Sequence, residues 1–190
     1  MKDPVSRVWC VASAAALVVS AAGLGATATT YPLTLTLDAQ VKTANANVTS
    51  SVTIHLDRLM EESRRARVAD ALKRGGYPNF LPALRALPRV GTIAVGSRTV
   101  DIKYAREQPD GDGNRLVLVA DRPLFFLGGD PAKGHEGYQL TIVDLRFDGQ
   151  GGVTGTMAGA AKVKPAADST PVIDDYAEAP VQLTSHAPKQ

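Results

Sequence analysis

The sequence predicts an α+β fold: mainly antiparallel β-sheet, curved or partly closed into a barrel, with a one- or two-helix insert after the first two strands. Three observations predict it. Two segments that alternate apolar and polar residues precede a single charged, helix-forming stretch. Everything after that stretch reads as short alternating or wholly apolar runs, punctuated by Gly, Pro, Asn and Asp. The connections between runs are short, which favours antiparallel pairing.

Residues 31–42 place Leu33, Leu35, Leu37, Ala39 and Val41 on one face and Thr34, Thr36, Asp38, Gln40 and Lys42 on the other, the pattern of a half-buried strand. Residues 43–47 read as a turn. Val52, Ile54 and Leu56 then alternate with Thr53, His55 and Asp57, completing a hairpin. Residues 61–74 predict a helix with Val68 and Leu72 one turn apart and Glu61 set four residues before Arg65. Lys73-Arg74 followed by Gly75-Gly76 is a helix stop. Residues 79–86 predict a second, short helix, with Phe80, Leu84 and Leu87 inward and Pro82 confined to its first turn.

Strand patterns resume at residues 92–95. Val100, Ile102 and Tyr104 then alternate with Asp101, Lys103 and Ala105. Asp110-Gly111-Asp112-Gly113-Asn114 is turn chemistry. Leu116-Val117-Leu118-Val119 is apolar without alternation, which predicts a strand covered on both faces. Residues 124–127, 140–147, 153–163, 172–173 and 181–183 supply the remaining strand signals.

The first residues carry a different message. Lys2 and Arg7 precede an uncharged stretch from Val8 to Ala28 that ends in the A-x-A pattern Ala26-Thr27-Ala28, the three parts of an export signal. The expected organisation is a signal peptide over 1–28, with a retained membrane anchor over the same uncharged run as the alternative, one α+β domain over 29–184 and a frayed tail over 185–190. Cys10, the single cysteine, falls within the leader, so neither a disulfide nor a cysteine metal site is expected beyond it. Without Lys2, Arg7 and Asp3 the 21 basic residues fall to 19 and the 19 acidic ones to 18, a net of +1. That balance argues against a nucleic-acid partner, which demands a basic surplus. No second apolar run reaches membrane-spanning length, so no transmembrane segment is expected after cleavage, and the protein is expected in the periplasm or outside the cell.

Motifs for chemistry are sparse. Asp110, Asp112, Asn114 and Asp121 have partial calcium-loop spacing, but Arg115 stands where the loop needs Gly, and a hairpin turn explains the same residues. The glycines at 149, 151, 152, 155 and 159 lack the G-x-G-x-x-G spacing of a dinucleotide loop. His55, His135 and His186 have no metal-ligand spacing, so no metal, cofactor or catalytic residue is assigned. Asp174 and Asp175 are neighbours on a strand and point to opposite faces, which does not suit paired acid–base carboxylates.

Gly75-Gly76-Tyr77-Pro78, Arg122-Pro123-Leu124-Phe125-Phe126 and Asp174-Asp175-Tyr176-Ala177, taken with the leader and the length, resemble a group of small exported bacterial proteins of unassigned function. The resemblance implies a bacterial source and carries no site residue. Three functions remain open from the residues. The first is an envelope protein that binds a hydrophobic or amphipathic small ligand through Phe125, Phe126, Ile142 and Phe147. The second is an interaction module for an envelope protein or a membrane surface, docking through the basic insert at Arg64, Arg65, Arg67 and Arg74. The third is a carboxylate-based hydrolase.

Overall fold

The computed structural model describes residues 29–42, 47–125 and 136–185. The expected leader, Phe126, His135 and His186 lie outside these. Nine strands and one helix follow in the order β1 (Leu33–Lys42), β2 (Asn47–Leu56), α1 (Glu62–Arg85), β3 (Gly91–Val95), β4 (Arg98–Asp110), β5 (Gly113–Ala120), β6 (Leu140–Phe147), β7 (Val153–Pro165), β8 (Pro171–Tyr176) and β9 (Val181–Ser185). The fold class is α+β, as the patterns predict, and the barrel is fully closed rather than partly so.

Closure depends on β7. Its first half pairs with β6 on one side, from Phe147 opposite Val153, and with β9 on the other, from Thr154 opposite Thr184. Because β9 also pairs with β1, the ring β1-β2-β3-β4-β5-β6-β7-β9 has eight strands and no free edge. The second half of β7 leaves the ring and pairs with β8 alone. Every pairing is antiparallel.

Two apolar clusters follow from this geometry. The inner one fills the barrel with one residue in two from each ring strand, among them Leu37, Ile54, Ile93, Ile102, Leu116, Leu118, Leu145 and Leu183. Eight strands enclose just enough space for such side chains to fill. The outer cluster lies beneath α1, where Val68, Leu72, Phe80 and Leu84 meet Val117 and Val119 of β5 and Ile142 of β6. The unbroken apolar run 116–119 is thereby explained: Leu116 and Leu118 face the barrel, and Val117 and Val119 face the helix. On the uncovered side, Thr34, Thr36 and Gln40 of β1 are exposed, the reverse of a lipid-facing barrel wall. No described helix is long and apolar enough to cross a membrane.

The helical insert is broken at the predicted stop, residues 75–76, and departs from its predicted outline only beyond it. Gly76 takes φ 61°, ψ −158°, a conformation essentially restricted to glycine, and the chain resumes its helical course with Pro78 soon after the break. Pro82 therefore sits beyond a first turn, where the sequence had allowed it. Tyr77, just after the break, is buried, and its hydroxyl accepts a bond from the Gln139 amide at 2.9 Å, pinning the bend to the entrance of β6.

A second departure lies in β4. Opposite β5 the register shifts between Ile102 and Tyr104, so Lys103 is an extra, bulged residue. Ile102 points into the barrel, but Tyr104 points outward beneath α1 and Ala105 points inward. The simple alternation read from the sequence put Tyr104 on the Ile102 face and is corrected by the bulge. The segment after β5 is a further correction: Leu124 and Phe125 are buried but not in a strand. The Leu124 amide instead donates to the Gly159 carbonyl at 2.7 Å, and a Cβ at position 159 would come within 2.1 Å of the Leu124 carbonyl oxygen. β9 also extends through Ser185, whose hydroxyl accepts a bond from the Val153 amide at 3.1 Å, so this residue of the expected tail belongs to the sheet.

Two substitutions test this arrangement. Phe80→Ala removes a fully buried ring from the outer cluster and should cost about 3–5 kcal/mol in urea unfolding. Gly76→Ala should cost about 1–3 kcal/mol with no loss of core contact, because the penalty is backbone strain at the bend.

Candidate functional site

Among the clefts of the described residues, two flank α1 over β4, and another, about 150 Å³, opens at the barrel mouth beside Thr29, Asn114 and Phe147. The N-terminal half of α1 lies over the outward face of β4 and leaves a cleft on each flank. Consecutive arginines divide between them: Arg64 lines one cleft and Arg65 the other.

The first cleft, about 180 Å³, is bounded by the β2–α1 connection, the first turn of α1, the α1–β3 connection and β4. Leu59, Leu87 and Pro88 give it apolar walls, and Arg58, Arg64 and Lys103 bring three cations against one carboxylate, Glu61. Arg64 Nε is 3.1 Å from Glu61 Oε2, and an Arg58 terminal nitrogen donates to the Arg89 carbonyl at 3.3 Å. Lys103 is placed by the bulge. Its side chain is only 13% exposed, 3.7 Å from Asp101 and 4.0 Å from Asp121, and it also lines a polar cleft of about 240 Å³ with those two acids and Arg122. Lys103 thus joins two adjoining clefts.

The second cleft, about 200 Å³, lies between α1, β4 and the β7–β8 turn. Arg65 pairs with Glu62 on its own helix and Arg74 with Asp70, the i,i+3 and i,i+4 spacings of helix-surface ion pairs. Arg106 of β4 reaches the β7–β8 turn, where one terminal nitrogen bonds the Asp168 carbonyl oxygen at 3.1 Å, the Asp168 carboxylate at 3.0 Å and the Thr170 hydroxyl. Thr170 in turn donates to Asp168 from its amide at 3.1 Å and from its hydroxyl at 2.7 Å. Partial burial works against ionisation of Asp168, but the Thr170 bonds and Arg106 outweigh it and hold the carboxyl below its ordinary pKa. Tyr104 forms part of this cleft. It is 0% exposed and its hydroxyl makes no hydrogen bond. Burial raises the Tyr104 pKa against the pull of Arg106 and Arg65, so the group stays a neutral donor. Arg106 is near enough to act on it electrostatically without reaching hydrogen-bond geometry.

The mouth of the barrel holds a third polar group. Beyond the bulge, Glu107 faces inward opposite Leu116. Its carboxylate accepts bonds from the Tyr31 hydroxyl at 2.8 Å, from the Asn114 amide at 3.0 Å and from the Thr29 hydroxyl. Burial first, and then Glu107, raise the Tyr31 pKa above its ordinary value.

The residues singled out from the sequence are dispersed. Ile142 lies in the outer cluster beneath α1, Phe147 packs against the inner cluster at the barrel mouth, and Phe125 is buried outside the strands. Of the four arginines, Arg64 and Arg65 enter separate clefts, while Arg67 and Arg74 are exposed on α1. Asp174 and Asp175 are exposed on β8 and engaged by Lys164 at 3.2 Å and by the Tyr138 hydroxyl at 2.5 Å. The calcium-like spacing resolves into separate tasks: Gly111-Asp112 turns the β4–β5 hairpin, Asn114 bonds Glu107, and Asp121 lies near Lys103. No group of three metal-ligating side chains occurs among the described residues. Sequence reasoning missed Lys103, Tyr104 and Arg106, because their positions depend on a bulge that leaves no compositional mark.

Fold and clefts together define a closed, apolar-filled antiparallel barrel with a helix docked on its outer wall. Comparison of the chain with protein-family models, curated proteins and solved structures finds no match.

The depressed Asp168 pKa fixes the sign of one pH effect. Its contribution to stability is present above the unfolded value of about pH 4 and is lost as pH falls through the lower folded value. Asp168→Asn should therefore melt below wild type at pH 7, and the gap should narrow as pH falls below about 4.

Proposed function

We propose that this is an exported cell-envelope protein that binds a small amphipathic anion, with the first cleft beside α1 as its site. One observation carries the reading: apolar Leu59, Leu87 and Pro88 face the same space as Arg58, Arg64 and Lys103. A ligand with a short hydrocarbon portion and a carboxylate or phosphate head satisfies both kinds of wall. Export is supported by the leader pattern of residues 1–28. Hydrophobic-ligand binding at Phe125, Ile142 and Phe147 has less support, because these side chains pack in different places.

A second reading is docking to an acidic partner or surface. It is supported by Arg67 and Lys73, which are exposed on α1 and have no ion-pair partner among the described residues. Such contacts weaken with salt.

Native mass spectrometry of the exported protein tests the ligand reading. The expected result is an adduct of a few hundred daltons that is lost on denaturation and is strongly reduced in Arg64→Gln/Lys103→Gln. A bare chain that also fails to take up added decanoate or decyl phosphate would overturn it.

A further inference from the structure

The second cleft, on the opposite flank of α1, is independent of that reading. Its distinguishing feature is the Tyr104 hydroxyl, fully buried and unpartnered. Tyr104 lines the cleft together with Arg65, Arg106 and Asp168, the charged groups that act on its hydroxyl, and Arg106 is the first of them. A buried polar group without a partner is costly, and native structures rarely keep one without a reason.

The two arginines have donors to spare. The bonds of Arg106 to the β7–β8 turn all run from one terminal nitrogen, and Arg65 engages Glu62 through one. A guanidinium carries five N–H groups in a planar fork. The cleft therefore offers an O–H and two partly engaged guanidinium forks, the donor set that suits an oxyanion. The three acids of the cleft are each already paired: Glu62 with Arg65, Asp70 with Arg74 and Asp168 with Arg106. Their charge disfavours a dianion such as sulfate and leaves a singly charged carboxylate as the better fit.

We infer that this cleft is a binding site for a small monocarboxylate, held by the Tyr104 hydroxyl between the Arg65 and Arg106 guanidiniums. Ala66 and Ala69 of α1 form its apolar wall. They leave room for a short hydrocarbon or amino-acid-like remainder beyond the carboxylate.

The test is a titration of the folded, isotope-labelled protein with sodium acetate, following the side-chain Nε–H signals of Arg65 and Arg106. Sodium chloride at equal ionic strength is the control. Acetate should shift both signals saturably where chloride does not. Tyr104→Phe should weaken the response about tenfold, the loss expected for one hydrogen bond to a charged acceptor. The same variant without acetate should melt at the wild-type temperature or higher, because the hydroxyl it loses has no partner in the fold. Arg65→Gln, on the helix surface, should weaken acetate binding with little change in melting. Equal shifts in chloride would overturn the inference. So would an unchanged acetate response in Tyr104→Phe, or a clear drop in its melting temperature without acetate.

Discussion

The single extra residue at Lys103 sets the arrangement on which the rest depends. Strand side chains have a period of two, so one bulged residue reverses the facing of everything beyond it. Before the bulge, Val100 and Ile102 face the barrel. After it, Ala105 and Glu107 do, and Tyr104 and Arg106 are turned toward the helix. Without that reversal Tyr104 would crowd the barrel interior, Arg106 would not reach the β7–β8 turn, and Glu107 would not close the barrel mouth. The bulge sits where barrels commonly place such irregularities, beside the surface that carries the polar groups.

The helix depends on the same wall. α1 has a narrow apolar stripe and two prolines, so little of its stability is intrinsic. Its seat is the outward face of β4 to β7, where Val117, Val119, Ile142, Ala158 and Ala161 present a ready apolar floor. The small residues at 158–161 are what lets the chain pass closely: Gly159 meets the Leu124 backbone and Ala158 and Ala161 meet the helix side. The Gly76 bend then lets one element follow a curved surface that a straight helix of its length would leave.

Much of this was legible in the residues. The alternation in β1 and β2, the charged insert, the doubly apolar run 116–119 and the glycine-rich turns each have a local cause, and each is found in place. What was not legible depends on register. Closure of the barrel rests on which strands β7 pairs with, and a strand able to serve two partners looks like any other. The facing of Tyr104 rests on one residue of slippage that Lys103, a polar residue at a polar position, does nothing to announce. Arginines chosen for their density, such as Arg67 and Arg74, proved exposed on α1, while Arg106, isolated in a strand, reaches a cleft.

Glu107 carries a consequence of its own. The Thr29 hydroxyl is one of the three donors that satisfy its carboxylate, and Thr29 is the residue that follows the A-x-A pattern. A chain cut after Ala28 would begin with an ammonium group on that same residue, within a side chain's reach of an inward-facing carboxylate. Such a cut would place a new positive charge at the barrel opening, beside a carboxylate that Thr29 and Tyr31 already bind.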